Sequence, residues 1–133
     1  MKPITTLFLC VSLAFVSCEK TIDSKLRGKW QLCFETQPNS SVHKVDSIFY
    51  SFDNDVISLQ NIERPTYTRQ AFGKYSISKD SILFEYVDWD GTHEFLKKRK
   101  IIMDHFEQYH IHSITTNSLH LVSKDRELLF RKF

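Results

Sequence analysis

Three histidines have the most specific chemical spacing in the chain. His110 and His112 stand two apart, which places both rings on one face of a β-strand, and His120 follows a few residues later. With Thr115-Thr116-Asn117 as a tight loop, Ile111 pairs with Leu121, His112 lies across from His120, and His110 lies opposite Val122. Neighbouring imidazoles about 5 Å apart are what a three-histidine zinc site needs. Ile111 and Leu121 then take the core side, which leaves the histidines on an outer face where polar residues collect by default. His110, His112 and His120 are therefore candidate ligands of a site expected to hold no metal, and no cofactor is expected.

Other reactive spacings are missing. The chain has no Gly-x-Ser-x-Gly elbow, no His-Glu-x-x-His and no Cys-x-x-Cys, and Cys33 has no local activating signature. Gly28, Gly73 and Gly91 lie too far apart to cradle a phosphate. Asp53-x-Asp55 and Asp88-x-Asp90 lack the later ligands of a calcium loop and read as turn residues. Lys97-Lys98-Arg99-Lys100 is the one charge run. It suits phosphorylated glycans, lipopolysaccharide or anionic headgroups, but reads first as a solvated loop or a charged edge guarding against strand addition. No catalytic activity is expected.

Binding capacity resides instead in aromatic residues, which form 14% of the chain and include 11 Phe and 5 Tyr. Trp30, Leu32, Phe34, Tyr50, Phe52, Tyr75, Phe84 and Tyr86 fall on the inward phases of successive strands and are the candidate ligand-contacting residues. A buried phenol needs a hydrogen-bond partner, so tyrosine-lined walls suit a partly polar cavity for an amphipathic ligand. A filled core with the hydroxyls reaching the rim is the other arrangement.

The elements that position these residues begin after a leader. Ile4 to Val16 is an apolar run behind Lys2, too short for a bilayer that needs about 20 helical residues and suited to a secretory h-region. Leu13-Ala14-Phe15-Val16-Ser17-Cys18 resembles a bacterial lipoprotein signal, which implies residues 1–17 as signal peptide and Cys18 as the acylated, palmitate-bearing N-terminus. Cysteine usage agrees, because Cys10 leaves with the leader, Cys18 carries lipid, and Cys33 has no partner for a disulfide. Of the 133 residues, 116 then remain. That is one domain, able to bury about 65% of its unfolded surface. Its charge, +2 for the whole chain and +1 without Lys2, gives no pull toward nucleic acid.

Residues 18–27 read as a lipidated tether, with Ile22 and Leu26 spaced as on one helical turn. From 28 to 133 the period is two. Strands are expected from Gly28, over Val45–Phe52, Val56–Ile62, Tyr67–Ile77 with a bulge or sharp bend at Gly73, Ser81–Val87 and His93–Met103. Gly91 takes the left-handed position of the turn before His93. Lys97–His110 is expected as strand with a break near Asp104, although Leu96, Ile101, Ile102 and Phe106 also fit a short helix. Tyr109, Ile111 and Ser113 share a face, Leu119 and Leu121 follow, and Glu127–Phe133 closes the chain. Eight to nine strands at spacings of about ten residues, joined by turns, make an all-β antiparallel meander. Closure into a barrel of about eight strands removes both exposed edges.

Leu26-Arg27-Gly28-Lys29-Trp30-Gln31-Leu32 resembles the first lipocalin motif, in which Trp closes one end of the barrel. The C-terminal Leu119-His120-Leu121-Val122 and Leu128-Leu129-Phe130-Arg131-Lys132-Phe133 are similar to the close of small lipocalin-like lipoproteins of Bacteroidetes. The resemblance implies a lipocalin-like barrel, and a late basic residue, Arg131 or Arg126, packed over Trp30. It further implies a non-catalytic lipoprotein, held in the membrane of the cell envelope, the outer membrane by expectation, that binds a small hydrophobic or amphipathic ligand. The alternative is an envelope protein-interaction module with a filled barrel and no ligand.

Overall fold

Alternation of apolar and polar residues becomes nine strands in the structure, a computed structural model that describes residues 22–37 and 41–133. The leader, Cys18 and the first tether residues lie outside the described residues. The spacing of Ile22 and Leu26 forms a short helix α1 (22–26), and both side chains enter the core. Strands β1 (Gly28–Thr36), β2 (Val42–Lys44), β3 (Ile48–Asp53), β4 (Val56–Arg64), β5 (Tyr67–Ser78) and β6 (Ser81–Tyr86) follow. Helix α2 (Gly91–Lys98) precedes β7 (Phe106–Ile114), β8 (Ser118–Val122) and β9 (Glu127–Lys132). Neighbours pair antiparallel in chain order from β3 to β9, and β9 pairs with β1, so eight strands close a barrel. The ninth, β2, lies outside the cycle and prolongs the β3 edge of β1.

Turn chemistry sets the hairpins. Asn54 and Asp55 both have positive φ, 46° and 68°, the left-handed pair that a two-residue hairpin turn requires. Lys79 (φ 56°) serves the β5–β6 turn. Ile111 pairs with Leu121 as the loop at 115–117 predicts.

Four expectations about the strands fail for physical reasons. Gly73 makes no bulge, since pairing runs unbroken through Ile57, Gly73 and Tyr86. Its role is close approach, because a Cβ there would lie 2.6 Å from the Glu85 carbonyl oxygen. The expected strand at His93–Met103 is α2 and the turn behind it. Asp90 caps that helix by accepting from the Thr92 and His93 amides, while the His93 ring receives the Asp90 amide. Histidine thus takes the place usually held by Glu or Gln in a capping box. Asp88 (φ 52°), not Gly91, takes the left-handed position, and Gly91 opens the helix.

The third failure is in β1. A register shift between Leu32 and Phe34 inserts Cys33 as an extra residue, so the alternation reverses beyond it. Phe34, expected inside, turns outward at 43% exposure, and Glu35 turns inward at 7%. The fourth is similar: a shift between Ile111 and Ser113 places Ser113, not His112, opposite His120 and turns Ser113 outward.

The α1 end is closed by Trp30. Its indole N–H donates to the Leu26 carbonyl at 2.7 Å, and the Tyr75 hydroxyl donates to Asp23 at 3.3 Å. Lys132 Nζ lies 4.5 Å from the Trp30 ring centre. Neither Arg131 nor Arg126 fills that role. Arg131 is on the outer phase of β9, donating to the Gln31 amide oxygen at 2.6 Å, whereas Lys132 follows Phe130 in the inward phase. Gly28 makes room, having φ 118° and a position where a Cβ would lie 2.7 Å from the ammonium.

Candidate functional site

Tyr50, Phe52, Phe84 and Phe130 fill the centre of the barrel. Tyr50 packs 5.0 Å from Phe130 and 6.2 Å from Phe84, and Phe52 lies 5.2 Å from Tyr75, between ring centres. Trp30, Tyr50, Phe52 and Phe84 expose 0% of their surface, so no water-sized void touches them. Seven of the eight residues expected to contact a ligand, namely Trp30, Leu32, Tyr50, Phe52, Tyr75, Phe84 and Tyr86, are therefore packed as core. Phe34 is the exception, on the outer surface.

At the barrel end remote from α1, the end of β1, the start of β7 and the β8–β9 turn converge on a buried charge cluster. Arg126 Nη2 donates to Glu107 at 2.7 Å, its Nε donates to the Tyr109 hydroxyl at 2.9 Å, and Glu35 lies 3.6 Å from Nη1. The Tyr109 hydroxyl donates in turn to Glu107. The segment after α2 covers the cluster: the Lys100 carbonyl accepts from Arg126 at 3.4 Å, and the Met103 amide donates to Glu107 at 3.4 Å. Leu96 and Ile102 beside it are fully buried.

Two carboxylates thus face one guanidinium in a dry setting, where only dense hydrogen bonding makes burial of charge tolerable. The desolvation of Arg126 is outweighed by Tyr50, Tyr109, Glu107 and Glu35, which hold it well above its usual range. Sequence reasoning missed this cluster. Glu107 shares the inward phase of Tyr109 and Ile111, and that was its only signal.

The hydroxyls of Tyr50 and Tyr86 are buried without a hydrogen-bond partner among the described residues. Burial raises both above the ordinary phenol value, and it does the same to Tyr109. Burial, followed by the Asp23 carboxylate, pushes Tyr75 up to about 12. Each folded value exceeds the unfolded one of about 10, so the folded chain retains protons that the unfolded chain releases. Stability is therefore expected to be intact below about pH 10 and to fall as the pH rises toward 12. Urea midpoints across that window, read beside phenolate absorbance, test this. Ionisation of these four tyrosines near pH 10 without loss of structure would contradict it.

The wall of the barrel opens beside the cluster. Pairing of β7 with β8 stops at His110 and Val122, and beyond that pair the β8–β9 turn meets the first half of β7 through the Arg126 side chain. A groove of about 730 Å³ lies there, lined in part by Met103, Phe106, Gln108 and Lys124 and also by Glu107 and Tyr109 of the cluster.

The histidines lie on the outer face, with the ring of His112 4.7 Å from that of His120 and 6.3 Å from that of His110. His120 faces Glu127 at 3.2 Å and His110 faces Asp80 at 3.5 Å. Among the described residues no three His, Cys, Asp or Glu side chains converge as a metal site. The charge run ends α2, where cations suit the helix C-terminus. Lys97 pairs with Asp104 at 3.6 Å, and the Phe95 ring has Arg69 at 3.7 Å and Arg99 at 5.0 Å.

An eight-stranded antiparallel meander, closed β1 to β9 with a Gly-x-Trp entry under a basic residue, defines a lipocalin-like barrel. The chain belongs to the lipocalin-like domain family, whose model matches residues 13–133. A lipocalin-like protein from Bacteroides uniformis ATCC 8492 is similar, with 24% identity and a TM-score of 0.71, covering 82% of this chain and 99% of that one. A protein of Bacteroides eggerthii DSM 20697, titled uncharacterized, has 22% identity and a TM-score of 0.71, covering 81% and 99%. No curated protein matches the chain.

Proposed function

We propose that this is a non-catalytic, lipid-anchored protein of the bacterial envelope that binds a small amphipathic molecule in the groove beside β7. The observation that carries the reading is the groove itself, about 730 Å³, sharing Glu107 and Tyr109 with the Arg126 cluster. Ligand sites combine apolar walls with a few fixed polar groups, within a range of about 300–1,000 Å³. Phe106 and Met103 supply apolar surface, Gln108 and Lys124 supply polar groups, and Glu107 and Tyr109, held from behind by Arg126, make that wall rigid. Cys18 carries the acyl chains, so the α1 end lies nearest the membrane and the groove opens away from it.

A second reading, an envelope protein-interaction module, is favoured by the filled barrel centre and by Phe34 and Leu129. These two pair across β1 and β9 and are both exposed on the outer face. Native mass spectrometry of the protein from its own envelope extract separates the readings. The expected mass is a chain beginning at acylated Cys18 plus a co-purifying small molecule. An acylated chain with no added mass favours the interaction module, and an unacylated chain refutes the anchor.

A further inference from the structure

The direction of the β7 amides names the ligand chemistry of the groove, on the premise that the groove is the binding site proposed above. The Ile111 amide donates to the Asp80 carbonyl at 2.6 Å, and the His105 carbonyl accepts from the Tyr86 amide at 2.8 Å. In an antiparallel strand each residue turns N–H and C=O to the same side, and successive residues alternate. Odd-numbered residues in this half of β7 therefore face β6, and even-numbered ones face away from it. His110 meets Val122, the last β8 residue in register. Gln108 and Phe106 come next, with their N–H and C=O groups toward the groove. Among the described residues no backbone or side-chain group hydrogen-bonds to these amides.

We propose that the groove takes a short extended peptide, or a peptide-like amide, which adds to β7 as a strand fragment. Two N–H/C=O sets spaced two residues apart, about 7 Å, are matched by the period of an extended amide backbone. A fatty acid has no such repeat. The free edge is only two residues long, bounded by the His110–Val122 pair at one side and by the segment after α2 at the other. That length selects a short segment over the edge of a whole sheet. Phe106, 61% exposed, stands beside the added strand and selects a large apolar side chain on it.

The test is an amide chemical-shift titration of the protein with the tripeptide Ac-Ala-Phe-Ala-amide, its fully backbone-N-methylated counterpart, and dodecanoate. The expected result is shifts and slowed exchange at Phe106 and Gln108 with the plain tripeptide, and none with the methylated one. Gln108→Pro deletes an N–H that is unbonded among the described residues, and proline is tolerated at such an edge. It is expected to weaken tripeptide binding about fivefold or more relative to Gln108→Ala, which removes the same side chain but keeps the N–H. Equal shifts from both tripeptides, or none from either, overturn the proposal on the unaltered protein alone. Groove shifts with dodecanoate only overturn it and leave the amphipathic-ligand reading standing. Silence with all three probes removes both.

Discussion

Replacing Arg126 with methionine is expected to lower the unfolding free energy by about 3–5 kcal/mol, the usual cost of stranding buried charge. Arg126 and Glu107 expose about 1% and 3% of their side chains, so the carboxylate left behind has neither water nor a counter-charge. Glu35 loses its cation too, and the Tyr109 hydroxyl loses the donor at 2.9 Å. The attraction in the intact pair is largely offset by the desolvation of its members, so the loss comes from the orphaned groups. Adding Glu107→Leu to Arg126→Met is therefore expected to restore part of the stability. Urea denaturation of the two single variants and the double gives the coupling directly. A loss under about 1 kcal/mol for Arg126→Met would show that water reaches the cluster, and would remove the rigid polar wall from the groove.

Truncating Trp30 to alanine is expected to cost about 3–5 kcal/mol, as for other fully buried aromatic side chains. More than packing is lost. The indole N–H is the bond to the Leu26 carbonyl, and the ring is the surface under Lys132. Removing it detaches α1 from the barrel mouth, so tryptic cleavage at Lys25 and Arg27 is expected to accelerate beyond what the change in global stability explains. Trp30→Phe separates the two effects, keeping most of the volume while costing about 1 kcal/mol for the hydrogen bond. If Trp30→Ala leaves the cleavage rate of α1 unchanged, the helix is held by Ile22 and Leu26 burial and by the Tyr75–Asp23 bond instead.

Both variants bear on residues of unequal legibility. Trp30 announced itself through Gly28-Lys29-Trp30, and its inward phase follows from the period of two that it shares with Leu32. Tyr50, Phe52, Phe84 and Tyr86 were placed in the same way, and all are buried. Arg126 enters the sequence reading only as one of two basic residues that the family resemblance sets over Trp30, because nothing local tells whether a cation at a strand entry faces water or a partner. Glu35 and Glu107, its partners, are far from it in the chain. Phe34 and Ser113 face opposite to expectation for one shared reason: a single inserted residue reverses every later side chain on its strand, and neither bulge has a Gly or Pro to mark it. The stretch at 91–98 was misread because histidine stands in the third helical position, where a capping box is usually recognised by its Glu or Gln.

Patterns with a short repeat were therefore settled in the linear chain. The meander, its turns at Asn54-Asp55 and Lys79, the closing Trp30 and the aromatic core depend on residues one to four positions apart, where sterics and burial act locally. The charge cluster, the groove and the free amides of Phe106 and Gln108 depend on where β7 parts from β8, and on two bulges that trade Phe34 for Glu35 and shift His112. Those are decided only when β9 returns to β1, because a barrel must absorb its accumulated twist and stagger somewhere.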